Sequence, residues 1–381
     1  MTNGSIPHRD RTPIFLYGDS YRTPNIYYLS HFLAPDPFIF VRSEEADTVV
    51  VSPLEKDRAD KEARVSRVLS YRDFDYDRFL QETGDRTEAM ARLMAAVLDG
   101  GGGEEFRVEA TFPVFFADRL RERGFQLLPD SDLLVAERRH KSQGEIEALA
   151  RSQARAEEAI RQAAEILAES EVRDQTLVYR GVPLTSERLR AELAVSFARD
   201  GFASESMIIA PGPGSSDPHW TGAGLIKPGE PLILDIFPLD QESRYFGDVT
   251  RTYVKGEPDP RLQRMFEAVR RAQTRALEMV GPGVNGREVH ETVVETFKEE
   301  GFDDDSSAKY IHGTGHGLGL EVHELPSLGK IDFELLPGDV VTVEPGLYDP
   351  EVGGVRLEDV VVIEEDGIRN LNALPKDMVI P

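Results

Sequence analysis

The chain has 381 residues, a formal net charge of −25, 40% hydrophobic and 30% charged residues, and no cysteine. The length suits two domains of roughly 100–200 residues each, and the composition is that of a packed globular chain. The acidic balance argues against a phosphate-binding patch and hence against nucleic acid as a partner. The lack of cysteine excludes disulfides and thiolate metal sites, so any metal must sit on His and carboxylate ligands. No run approaches the roughly 18 apolar residues of a membrane span, and Met1 to Asp10 lacks the basic and apolar regions of a secretory signal. A cytoplasmic protein with no membrane contact is the expectation.

From Thr12 to about Val135, short apolar strands (PIFLYG, DPFIFV, TVVVSP) are followed by a helical run from Arg86 to Leu98, the pattern of a small α/β domain. The glycine run Gly100 to Gly103 follows a helix and lacks the Lys-Ser/Thr of a phosphate loop, so it reads as a connecting loop. Near His140 the texture changes to a long amphipathic helix with apolar positions at Ile146, Leu149, Ala156, Ile160, Ala164 and Leu167. Gln153 is the one polar break in that stripe. Ser142 with Glu145 three residues on forms a capping box at the helix start, which sets predicted domains at 1–140 and 141–381.

The second domain continues through a helix at Thr185 to Asp200, a strand at Met207 to Ala210 and a Pro/Gly-rich loop carrying His219. Strands follow at Pro231 to Phe237 and Tyr245 to Val254, then helices at Pro260 to Val280 and Gly286 to Gly301. A histidine-rich segment leads to strands at Asp339 to Glu344 and Gly354 to Ile363. Strands and helices that do not alternate strictly predict an α+β domain, and no internal repeat is evident.

Three histidines, His312, His316 and His323, fall in HGTGHGLGLEVHE. The interleaved glycines disfavour a helix and suit close backbone approach to a ligand, although a solvated loop is the plain alternative. Asp235 lies in an apolar strand (PLILDIFP), where an ionised carboxylate needs a partner; backbone donors would satisfy it as well as a metal. Asp248 sits on the next strand, which a hairpin would bring beside it. Glu344 (DVVTVEPGLY) and Glu358 (GGVRLEDVVVIEE) repeat the pattern. Four acids gathered in apolar surroundings would repel or take up protons, whereas two divalent cations cancel their charge with one neutral imidazole completing the set. Such ligands suit Mn, Co, Fe or Zn, and two adjacent metals can share a water and hold the resulting hydroxide against a carbonyl carbon.

With GHGLGLEVHE, TVEPGLY and GVRLEDVV around ligands in the order Asp, Asp, His, Glu, Glu, the chain resembles the pita-bread-fold dinuclear metallopeptidases, within them the Xaa-Pro aminopeptidase and prolidase branch. PNIYYLSHF and VVVSPLEKDRA resemble the creatinase-like N-terminal domain of that branch. The resemblance implies a pita-bread catalytic domain with metal ligands Asp235, Asp248, His316, Glu344 and Glu358, of which Asp248 and Glu358 bridge. It also implies catalytic roles for His219, for His323 at the scissile carbonyl and for Glu344 as general base. His312 then belongs to the substrate pocket, and Tyr348 and Arg356 support the ligands. The implied activity is metal-dependent hydrolysis of the Xaa-Pro bond in dipeptides or short peptides, with two divalent ions, manganese ahead of Co, Zn or Fe, and a homodimer.

Twelve residues separate Asp235 from Asp248, where the branch more commonly has ten, and Asp235-Ile236-Phe237 replaces the usual Asp-x-Gly. Both acids should stay on one face, because strand sides alternate with period two; the pocket is where the change falls. The alternatives are another hydrolase on the same fold, creatinase-like or a non-prolyl aminopeptidase, and a non-enzymatic binding homologue. His8, His31, His140 and His290 carry no implied role.

Overall fold

The computed structural model describes residues 12–100, 103–204, 206–303 and 305–381; His8 and, of the glycine run, Gly101 and Gly102 lie outside them. The chain divides into two compact units, Met1–Val135 and Ala136–Pro381. Residues 136–141 go with the second unit because Arg138 and Lys141 pair with Glu324, and Arg139 donates to Asp339 at 2.9 Å.

The first unit is one six-stranded mixed sheet. Its order across the sheet is Arg67–Ser70, Asp47–Val51, Phe38–Arg42, Ile14–Gly18, Glu105–Glu109, Gln126–Asp130. Period-two alternation sends Phe15, Ile39 and Val50 to one face, under the helices Arg86–Asp99 and Val114–Arg121. Leu16, Phe38, Phe40 and Val49 go to the other, against Ile26, Leu29 and Phe32. Asp85 caps the first of these helices through the Thr87 and Glu88 N–H groups, which is why the predicted Arg86 start holds.

In the second unit, two sheets are each backed by a helix pair. Strands Ile208–Pro211, Leu232–Ile236, Val249–Lys255 and Val379–Ile380 form one sheet, whose core includes helices Gln143–Glu169 and Ser186–Arg199. Strands Glu324–Leu328, Gly315–Gly317, Val340–Val343, Asp359–Glu364 and Gly367–Asn370 form the other, cored by helices Pro260–Met279 and Gly286–Glu299. The arrangement is α+β. Helix ends fall within two residues of expectation because they are set locally: the Ser142–Glu145 capping box forms, and Thr185, Asp259 and Asn285 cap the other three.

Two predicted strands differ from expectation. The run Gly354 to Ile363 breaks into Gly353–Arg356 and Asp359–Glu364. At the break the Glu358 N–H turns to the Thr250 carbonyl of the other sheet, at 3.1 Å. The run Tyr245 to Val254 enters the ladder only at Val249, opposite Ile236. The residues before it wrap around buried Asp240, whose carboxylate takes Arg151 and the Glu242 N–H, while Leu239–Asp240 pairs with Phe202–Ala203. A polar turn of the sort the sequence suggests is thus a small structure of its own.

Candidate metal centre

Of the four acids expected within strands, only Asp235 lies inside one. Asp248 stands one residue before the strand Val249–Lys255, Glu344 one residue after Val340–Val343, and Glu358 in the break between two strands. Strand ends suit a centre better than strand interiors, because the backbone there is free to turn and several strands can aim at one point. The register supplies the geometry: Asp235 faces Thr250 across the antiparallel ladder, so Asp248, two residues along, is on the same face.

Ligand-type atoms of Asp248, His316 and Glu358 all lie within 4.8 Å of one another. The His316 Nε2 is 3.2 Å from Glu344 Oε1 and 3.9 Å from Asp248 Oδ2. Its Nδ1 faces the Gly317 carbonyl at 3.1 Å, an arrangement that makes Nδ1 the donor and leaves Nε2 free for the centre. Glu344 is fixed by its N–H to the Thr314 carbonyl at 2.7 Å, and Thr342 Oγ1 touches its carboxylate at 3.4 Å. Glu358 accepts from Thr250 Oγ1 at 2.8 Å. Asp235 borders the group, its Oδ2 held by Arg356 at 2.7 Å. Arg356 in turn donates to the Tyr348 hydroxyl at 2.8 Å, and His312 Nε2 meets that hydroxyl at 2.8 Å. His312, Tyr348, Arg356 and Asp235 therefore form one continuous chain.

A cavity of about 750 Å³ opens beside these groups. It is lined by His219, Phe237, Ile311, His312, His323 and the five acid and histidine candidates. His323 packs edge-on to His316 with ring centroids 4.3 Å apart. Burial, then the neighbouring His316, lowers its pKa, which keeps the ring neutral near pH 7. His219 is exposed on a loop at the same cavity. All ten residues singled out from the sequence thus converge.

Electrostatics indicate what the centre lacks. Burial foremost, then the charge of neighbouring acids, raises Asp248 and Glu358 well above the usual carboxylate range. Burial also tends to raise Glu344, but its bond and charge pairing with His316 outweigh that and bring it to about 2. His316, despite burial, is pushed up to about 9 by the same pairing. Asp248 Oδ1 and Glu358 Oε1 are buried with no hydrogen-bond partner among the described residues. Orphaned buried carboxylate oxygens are costly, and a divalent cation removes that cost. The oxygen-rich set with one imidazole fits such ions.

A pH prediction follows with its sign. In metal-free protein, folded Asp248 and Glu358 hold protons that the unfolded chain releases near pH 4, so their contribution to stability fades as pH rises. His316 holds one that the unfolded chain loses near 6.5, so its contribution fades between there and about 9. Glu344, ionised in both states above about pH 4.5, adds no slope in this window. The metal-free Tm is expected to fall from about pH 6 to about pH 9, and Mn²⁺ to raise it more at the higher pH, since the ion replaces the protons. Melting curves with and without Mn²⁺ at both values check this; an equal shift at both would contradict it.

Several functional neighbours have no local signature. Gln153 and Gln273, both fully buried, bond the backbone of Asp248 and of Val343, the residue before Glu344. Glu324, next to His323, is clamped by Arg138 and by Lys141 at 3.1 Å; burial raises its pKa, but the two cations outweigh that and hold it below the usual range. His290, given no role from the sequence, is buried and bonds Thr314 Oγ1 at 3.0 Å, bracing the segment that holds Glu344. Gln153 alone left a trace, as a break in an apolar stripe.

Fold and centre together describe a metal-binding α+β protein with a substrate-sized cavity. Residues 147–365 match the model of metallopeptidase family M24, and the chain belongs to that family. It is 38% identical over 174 residues to an Xaa-Pro dipeptidase of Pyrococcus furiosus, covering 45% of this chain and 48% of that one. It is 39% identical over 180 residues to the uncharacterized peptidase YqhT of Bacillus subtilis, covering 47% and 49%. These alignments span about half the length of the curated relatives. Among solved structures, a prolidase from Pyrococcus furiosus superposes with a TM-score of 0.77 at 27% identity, covering 95% of this chain and 96% of that one. An Xaa-Pro dipeptidase from Bacillus anthracis gives a TM-score of 0.81 at 24% identity, covering 97% and 95%. The likeness covers essentially the whole chain: the second unit has the pita-bread fold, and the first is the smaller α/β domain that precedes it. Among the described residues no helix is long and apolar enough to cross a membrane.

Proposed function

We propose that this chain is a dinuclear metal-dependent exopeptidase that hydrolyses the Xaa-Pro bond of dipeptides or short peptides. The observation that carries the reading is the buried Asp248–His316–Glu358 group, with two orphaned carboxylate oxygens, at the wall of the cavity. Asp235, Asp248, His316, Glu344 and Glu358 would hold two divalent ions, which supply Lewis acidity that activates water and polarises the carbonyl.

The chain's own groups do the rest. Glu344, its backbone held by the Thr314 carbonyl, takes the proton of the attacking water as general base. His323, neutral and at the cavity, donates to the carbonyl oxygen as negative charge develops there. His219 and His312 line the wall where the substrate must lie, and Arg356 fixes Asp235 and Tyr348 at once. Manganese as the working ion, a homodimeric state and a cytoplasmic location belong to the same reading, supported by the family resemblance and the cysteine-free composition.

The substrate panel Ala-Pro, Ala-Pro-Ala and Ala-Ala tests it. Release of proline from Ala-Pro exceeding cleavage of Ala-Ala by at least about tenfold, roughly the discrimination a pocket shaped for one ring can supply, is the expected result. Cleavage of Ala-Pro-Ala separates aminopeptidase from dipeptidase. Equal rates on Ala-Pro and Ala-Ala would remove the proline preference.

A further inference from the structure

The helix Gln143–Glu169 buries an apolar stripe, and in it Gln153 is fully buried. An amide in that position is costly unless both its ends are bonded. Both ends bond one residue: the Asp248 N–H donates to Gln153 Oε1 at 2.8 Å, and Gln153 Nε2 donates to the Asp248 carbonyl at 2.7 Å. The reverse amide orientation would set donor against donor, so this one is fixed by chemistry.

Three further facts give the pair of bonds a purpose. The ladder between Leu232–Ile236 and Val249–Lys255 ends at the Ile236–Val249 pair, so the peptide of Asp248 has no strand partner. Among the described residues the Asp248 Oδ1 accepts no hydrogen bond, whereas one oxygen of Asp235 and one of Glu358 are held directly by Arg356 and Thr250. The hairpin also passes so close to the helix that a Cβ on Gly247 would lie 2.4 Å from the Ser152 carbonyl oxygen. Glycine at 247 is what lets Gln153 reach.

We infer that Gln153 is the positioning residue for Asp248, aiming that carboxylate into the centre by gripping the peptide groups on either side of its Cα. The long turn between Asp235 and Asp248 leaves this work to the helix. The inference rests on the proposed role of Asp248 as a metal ligand. Gln153 itself touches no substrate.

The test is an isothermal calorimetric titration of Mn²⁺ into the chelator-stripped full chain, with kcat and KM for Ala-Pro measured alongside. Gln153→Met, of similar length and unable to bond, is expected to weaken Mn²⁺ binding by about 10- to 100-fold, in line with the loss of groups that orient ligands. KM at saturating Mn²⁺ should stay within about twofold, since no substrate contact is lost. The control is Ser152→Ala, which deletes the adjacent bond to the Tyr245 carbonyl, 2.9 Å long, and leaves the Asp248 peptide gripped; its affinity should stay within about twofold of the parent, as for sites that do not share partners. Should the methionine chain not fold, Gln153→Asn keeps an amide one methylene short of Asp248 and takes its place. Unchanged Mn²⁺ affinity in the folded Gln153 variant, or an equal loss in Ser152→Ala, overturns the inference. A parent chain that takes up no Mn²⁺ overturns the reading of the centre itself, and so is told apart from a failure confined to Gln153.

Discussion

Arg356→Met is expected to destabilise the metal-free second unit by about 3–5 kcal/mol at about pH 8, the usual cost of removing one partner from a buried ion pair. Arg356 is buried and donates to the Asp235 carboxylate at 2.7 Å, to the Tyr348 hydroxyl at 2.8 Å and to Thr250 Oγ1 at 3.3 Å. Methionine keeps the length and apolar stem but removes from all three the hydrogen bond that Arg356 supplies, inside an apolar setting where each loss is costly. The size of the loss also depends on pH. Burial already raises the pKa of Asp235, and Arg356 is the nearest group working against that rise. Without Arg356 the acid can escape part of the cost by taking a proton, so the loss should shrink towards pH 5. Equilibrium urea unfolding at the two pH values measures it, and a change below about 1 kcal/mol at pH 8, the range of ordinary surface pairs, would mean the pair is not the strut described.

Asp248→Asn is expected to cost more in activity than any other single change, at least on the order of 10³-fold in kcat/KM, or about 4 kcal/mol of transition-state stabilisation. Groups that merely orient a ligand cost about 10- to 100-fold when lost, and Asp248 belongs to the tightest cluster in the centre. Asparagine keeps the shape and the backbone grip of Gln153 and cannot ionise, so it adds nothing to the repulsion among the acids that holds Asp248 above the usual carboxylate range. The metal-free Tm should therefore be preserved, which separates loss of chemistry from loss of fold.

The parts legible in the sequence were those specified locally. Caps at Ser142, Thr185 and Asn285 set helix starts, and apolar runs interrupted by single acids marked the strands of the centre. What could not be read depended on groups distant in the chain. The break at Glu358 is hidden because no glycine or proline marks it between Val355 and Ile363; it exists because the Glu358 N–H goes to Thr250 of another sheet. The turn after Asp235 looked like plain polar loop because Asp240 finds distant partners, Arg151 on a helix far upstream and the strand Phe202–Ala203. The chain from His312 through Tyr348 and Arg356 to Asp235 links three stretches of sequence; the resemblance named its members one by one, but not the bonds that join them. Phe237, the departure that stood out most, does line the cavity, and the proline preference tested above is where its bulk would be felt.

The most direct test of a metal-dependent centre built on Asp248 compares the parent chain with Asp248→Asn through one cycle of chelation and Mn²⁺ addition, following proline release from Ala-Pro. The account predicts that the parent loses activity on chelation and regains it with Mn²⁺, while the variant stays inactive throughout with its fold intact. Activity in the parent that survives chelation, or a variant as active as the parent, would contradict it.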